Sequence, residues 1–90
     1  MLRLDLSASA RGFISTRQPK HQRQIASKIQ DLLVDPQPAD SKMLKGTNRE
    51  FRRADVGEYR IIYKVQNGIL HVSDVGRRND DEVYRRFRRR

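Results

Sequence analysis

The 90-residue chain of 10.6 kDa has room for one domain with one thin core, since a chain of this size buries only about 64% of the surface its unfolded form exposes. Twenty Lys and Arg against 11 Asp and Glu give a formal charge of +9 and a pI near 10.8, which favours an anionic partner, most simply nucleic acid. Without cysteine there can be no disulfide, thiolate metal site or cysteine nucleophile, a composition compatible with a reducing cytoplasm, and no apolar stretch approaches the roughly 20 residues of a membrane span.

The apolar residues fall in periodic runs that predict a folded domain. Leu2, Leu4 and Leu6 alternate with Arg3 and Asp5, the period of a half-buried strand. Ser7 is placed to cap a short helix lined by Ala8, Ala10, Phe13 and Ile14. Pro19 suits the first turn of a second helix reaching about Val34, with Ile25, Ile29, Leu32 and Leu33 as its core-facing stripe. Gln22, Arg23, Lys28 and Asp31 should face outward. Asp35-Pro36-Gln37-Pro38 ends that helix, because proline cannot continue it and restricts the residue before it.

A connection is expected from Ala39 to Asn48, anchored by Leu44 and turning at Gly46. Three strands follow. Glu50 to Ala54 is weak by propensity, whereas Tyr59 to Val65 alternates cleanly, with Tyr59, Ile61, Tyr63 and Val65 on one face and Arg60, Ile62 and Lys64 on the other. Asn67-Gly68 reads as a two-residue hairpin turn into a strand from Ile69 to Val75, after which Gly76 breaks the pattern. Asp80 to Arg90 can form a last helix with Val83 and Phe87 on its inner side. The whole of 1–90 thus reads as one α+β domain in the order β-α-α-β-β-β-α.

The density of charge lies in the second half, where Arg52-Arg53, Arg60, Arg77-Arg78 and five arginines among the last six residues supply ten guanidinium groups. Arginine grips phosphate bidentately and stays charged when partly buried. Arg53, Arg60 and Arg78 each fall on or just beyond a strand, so they can converge on one face; unrelated surface arginines are the alternative. The terminal run Arg85, Arg86, Arg88, Arg89 and Arg90 reads equally as a solvated tail or as nonspecific RNA contact. His21 and His71 have no second histidine or carboxylate at ligand spacing, which argues against a metal site and for ordinary surface or half-buried roles. Asp80, Asp81 and Glu82 fit a helix first turn, where the dipole favours acids, better than a metal cluster. Tyr59 and Tyr63 read as core. Tyr84, six residues after Arg78, is a phenol placed among guanidinium groups, where it can stack on a base or join in proton transfer.

Leu44-Lys45-Gly46, Gly57-Glu58-Tyr59-Arg60-Ile61-Ile62-Tyr63, Val75-Gly76-Arg77-Arg78 and Glu82-Val83-Tyr84 together resemble the RelE/ParE toxin superfamily of bacterial type II toxin–antitoxin systems. The resemblance implies two N-terminal helices on a mostly antiparallel sheet with a C-terminal helix. For RelE-type members it implies a ribosome-dependent endoribonuclease that cuts mRNA in the A site without metal or other cofactor, restrained by a cognate antitoxin in a hetero-oligomer. Arg60 matches a family arginine that holds the scissile phosphate, Arg78 one near the leaving group, and Tyr84 the tyrosine that orients the nucleotide. Arg53 occupies the nearest match to a position where RelE-type enzymes often carry lysine. Arg52 beside it has an open register, and Lys45, Arg52 and Arg77 are candidate RNA contacts.

The implied reaction is attack of a ribose 2′-OH on its own 3′-phosphate, which confines cleavage to RNA. Arginine, with a pKa above about 12, is a poor proton shuttle, so the general base is unassigned and orientation and electrostatics must carry the acceleration. Two alternatives stand beside this reading. One is a ParE-type toxin that inhibits DNA gyrase without nuclease activity; the other is a basic RNA-binding module with no activity.

Overall fold

The structure, a computed structural model, describes residues 1–44, 50–79, 83, 85 and 87. Strand β1 (Arg3–Leu6) leads into α1 (Ala8–Ser15) and α2 (Pro19–Val34), followed by β2 (Lys42–Met43), β3 (Phe51–Val56), β4 (Tyr59–Gln66) and β5 (Ile69–Arg77). The five strands form one sheet in the order β1-β5-β4-β3-β2. Only β1 runs parallel to its neighbour, β5, and the other three pairings are antiparallel. No helix among the described residues is long and apolar enough to cross a membrane.

Local chemistry accounts for the helix starts. The Ser7 hydroxyl accepts from the Ala10 amide at 3.0 Å as the N-cap of α1 and donates to the Ser73 carbonyl at 2.5 Å. That second bond fastens the helix start to β5. Pro19 opens α2, where a missing N–H costs nothing. Asp35, in extended conformation ahead of Pro36, closes it.

The main core lies between the helices and one face of the sheet. Ala10, Ile25, Ile29 and Leu32 pack there on Ala54, Tyr59, Ile61, Tyr63, Leu70, Val72 and Val75. Tyr59 and Tyr63 are core residues, as their alternation predicts, and each hydroxyl finds a partner. Tyr59 meets His21 Nδ1 at 2.5 Å, and Tyr63 donates to the Pro36 carbonyl at 2.7 Å. Burial pushes the Tyr63 hydroxyl up in pKa, which suits a packing role.

A second, smaller cluster covers the opposite face. Leu44, Ile62 and Val83 are buried there, with Phe51 and Phe87 packed against them ring edge to ring face. Ile61 and Ile62, adjacent on β4, are therefore both fully buried, one under the helices and one under this cluster. Leu44 is an apolar anchor as expected, and Val83, Arg85 and Phe87 carry helical backbone with Val83 turned inward. The rest of the expected C-terminal helix, Gly46 and the Asp80-Asp81-Glu82 trio lie outside the described residues.

Both hairpins owe their register to glycine. Asn67 and Gly68 sit at φ of 55° and 74°, the paired positive values of a type I′ turn. Gly57, at φ of 56°, opens the turn between β3 and β4. Three details depart from the sequence expectation. The stretch read as a connection contains β2, two residues paired to Arg53 and Arg52. The β3 strand is longer than Glu50 to Ala54 and runs to Val56. Gly76 does not end β5, because it continues the ladder opposite Arg60. β5 also carries a bulge at Ser73, where Asp74 is fully buried and accepts from Ser73 Oγ at 2.8 Å and Ser9 Oγ at 3.3 Å.

Candidate functional site

Strand alternation sorts the arginines. In β3, Phe51, Arg53 and Asp55 share one face, and Arg52, Ala54 and Val56 the other. Pairing sets Arg53 opposite Ile62 and Asp55 opposite Arg60, on the face covered by the smaller cluster. Beyond the end of β5, the Arg78 amide donates to the Glu58 carbonyl at 2.9 Å, which holds Arg78 beside the β3–β4 turn.

Asp55 lies on this face one residue pair from the β3–β4 turn. Arg60 grips it side-on, with Nε to Oδ1 at 2.7 Å and Nη2 to Oδ2 at 3.1 Å. The Arg60 side chain is 15% exposed and that of Asp55 32%. The hydrogen bond from Arg60 holds the Asp55 carboxyl below the usual carboxylate range, against the opposing effect of desolvation. The positive charges of Arg60, Arg53 and Arg78 act in the same direction. Arg60 alone contacts the carboxylate, and the more distant charges of Arg53 and Arg78 leave these four groups with net positive charge at neutral pH.

The structure therefore brings Arg53, Arg60 and Arg78 together. It does not bring Arg52 or Arg77 to them. Arg52 lies on the helical side, donating through Nε and Nη2 to Ser41 Oγ at 3.3 and 3.0 Å. Arg77 pairs in register with Tyr59 and reaches Glu58 at 3.6 Å, the carboxylate that also lies 3.7 Å from His21. Lys45 and Tyr84 are outside the described residues. Neither histidine joins the cluster: His21 is engaged with Tyr59, and His71 sits opposite Asp5 at 3.0 Å. Among the described residues, no group of three His, Cys, Asp or Glu could hold a metal ion.

Asp55 is the residue that reading the sequence missed. A signal for it existed: counting back from a two-residue turn at Gly57-Glu58 pairs 56 with 59 and 55 with 60. Ending the strand at Ala54 concealed it.

Residues 8–82 match the family described as ParE toxin of type II toxin–antitoxin system, parDE. The chain belongs to that family. It is thus a toxin of a type II system, within the RelE/ParE superfamily. Solved structures place it on the RelE fold. The isolated E. coli RelE toxin aligns over 99% of this chain and 97% of its own, with 21% identity and a TM-score of 0.74. The toxin of the archaeal RelE–RelB complex from Pyrococcus horikoshii OT3 aligns over 86% and 94%, with 23% identity and a TM-score of 0.73. YafQ from E. coli strain BL21(DE3) aligns over 88% and 96%, with 20% identity and a TM-score of 0.66. Among curated proteins, none matches the toxin.

Proposed function

We propose that the toxin is a RelE-type mRNA interferase: a ribosome-dependent endoribonuclease that cuts mRNA in the A site and is held inactive by a cognate antitoxin. The observation that carries this reading is that Arg53 and Arg60 share one sheet face, with Arg78 beside the β3–β4 turn and close enough for its charge to act on the same carboxylate. Phosphoryl chemistry needs what that face offers, positive charge fixed where negative charge develops. Arg60 and Arg53 hold the scissile phosphate, and Arg78 stands towards the leaving oxygen. Tyr84, following the docked Val83, stacks on the nucleotide.

The 2′-oxygen attacks phosphorus and the bond to the 5′-oxygen breaks, giving a cyclic phosphate and a 5′-hydroxyl. The three arginines stabilise the extra negative charge of the phosphorane between these steps. With no histidine in the cluster, alignment of the 2′-oxygen supplies much of the acceleration, and the ribosome presents the strand in that alignment. Lys45 and the terminal arginines add charge that draws the toxin to ribosomal RNA. Partnership with an antitoxin follows from the family and from the RelE–RelB complex among the similar structures.

A second reading has its own support. The matching family is named for ParE, and Arg60 is engaged by a carboxylate. On this reading the toxin inhibits DNA gyrase and cleaves nothing. Two assays on the same preparation separate the readings: primer extension on mRNA from a cell-free translation reaction, and supercoiling by purified gyrase. We expect A-site cuts that disappear in Arg60→Ala with Arg78→Ala, and unimpaired supercoiling. Intact mRNA together with blocked supercoiling would replace the first reading by the second.

A further inference from the structure

A guanidinium that must receive a phosphate presents two parallel N–H groups along one edge. In Arg60 the Nε and Nη2 edge is filled by Asp55, with both oxygens in hydrogen-bond range. This is the same two-point geometry that a phosphate would adopt. The contact is fixed by the fold, because Asp55 and Arg60 are directly opposite in the β3–β4 ladder, one residue pair from a two-residue turn. A longer or slipped turn would separate them. Flexible surface pairs are held far less firmly.

We propose that Asp55 is a built-in placeholder for phosphate, occupying the side-on edge of Arg60 in the free toxin and giving it up when an RNA phosphate enters. The inference rests on the proposed role of Arg60 in RNA binding. The carboxylate does two things at once. It satisfies the side-on edge of a nearly buried guanidinium, and it holds the planar group in the orientation that a phosphate needs. The surrounding charge makes the exchange feasible, since Arg53 and Arg78 add two cations that Asp55 does not neutralise. Asp55 is therefore a positioning residue that lowers affinity for RNA while the site is empty. Weak binding in isolation leaves productive engagement to the ribosome, where the strand is presented at high effective concentration.

The test uses the full chain and a short single-stranded 2′-O-methyl RNA, which lacks the attacking hydroxyl, with binding followed by fluorescence anisotropy. Asp55→Asn should bind about tenfold more tightly than the parent. Its log–log salt slope should match the parent's, because Arg60 makes the same phosphate contact in both complexes and only the cost of displacing Asp55 is removed. The gain should vanish when Arg60→Ala is combined with it. Asp31→Asn, the same charge change on the exposed face of α2, should move affinity less than twofold. If Asp55→Asn does not fold, Asp55→Ser serves the same comparison. Equal affinity of the parent and a folded Asp55 variant overturns the placeholder, as does a gain that survives loss of Arg60. Primer extension on translated mRNA keeps the two ideas apart. Parent cuts without an Asp55 effect would sink the placeholder alone. An Asp55 effect on binding without parent cuts would sink the interferase reading alone. No RNA binding by any variant would sink both.

Discussion

Val83 is the point at which the C-terminal segment meets the sheet, and Val83→Ala tests whether that docking is part of the fold. Val83 is 1% exposed against Ile62 and Leu44, with the Phe51 and Phe87 rings beside them. The substitution removes two buried methyl-sized groups, a transfer loss of about 1.6 kcal/mol. A residual cavity of roughly 30 Å³ adds about 0.7 kcal/mol, for a total near 2 kcal/mol. In a domain of this length that lowers the thermal midpoint by about 10 °C or more. Calorimetry or circular dichroism measures it. The comparison is Val34→Ala, the same chemical change at a valine that is 70% exposed at the end of α2, expected to shift stability by less than about 0.5 kcal/mol. Because Tyr84 follows Val83 directly, Val83→Ala should also lose cleavage at temperatures where it remains folded. If the two valine variants unfold together, the segment does not dock as described and the reasoning fails.

Three further expectations rest on other contacts. Arg53→Ala and Arg78→Ala should each reduce A-site cleavage by about 10²–10³-fold, the usual loss for one transition-state donor. Arg77→Ala, on the opposite face, should cost less than tenfold, and equal losses by primer extension would show that the sorting by face is irrelevant to activity. Tyr59→Phe removes only the hydroxyl bonded to His21 and should destabilise by about 1 kcal/mol in urea titration. The same change made in a His21→Ala background should cost much less, and an undiminished cost would mean that the bond contributes nothing. Asp55 governs an acid limb: its carboxyl is held below the ordinary value, so the stability it contributes is complete above about pH 3.9 and lost as pH falls through the lower folded-state value. Urea midpoints measured against pH should therefore fall less steeply below about pH 4 in Asp55→Asn than in the parent. Parallel curves would show that Arg60 does not hold the carboxylate in solution.

Much of the architecture was legible because its signals are local. Ser7 caps α1 through a bond three residues away, Pro19 starts α2, and Ile25, Ile29 and Leu32 fall on one stripe because the helix repeat places them there. Asn67-Gly68 specifies its turn by tolerating positive φ at both positions. The details that escaped are those in which a distant partner overrides weak local preference. Lys42 and Met43 form β2 only because β3 offers them a free edge, and two residues carry no periodicity to detect. Asp55 has poor strand propensity, yet the cross-strand ion pair with Arg60 extends β3 past the point where propensity would stop it. Gly76 reads as a breaker and stays in β5 because Arg60 continues the ladder.

The candidate site divides along the same line. Its arginines were identifiable by type and approximate position, and the resemblance of four short motifs pointed to the family that residues 8–82 match. The sequence singled out Arg53 by its match to a family position and left the register of Arg52 open, and the ladder puts the two on opposite faces. The sequence by itself determined the net charge of +9, the two helices, the hairpins and the family. Only the tertiary structure decided that Arg53 and Arg60 share a face, that Arg52 and Arg77 lie on the other, and that the Asp55 carboxylate is gripped by Arg60. The physical reason is strand parity: the side chains of a strand alternate, so a one-residue change of register turns every one of them to the other face, and register is fixed by turns and partners outside the strand.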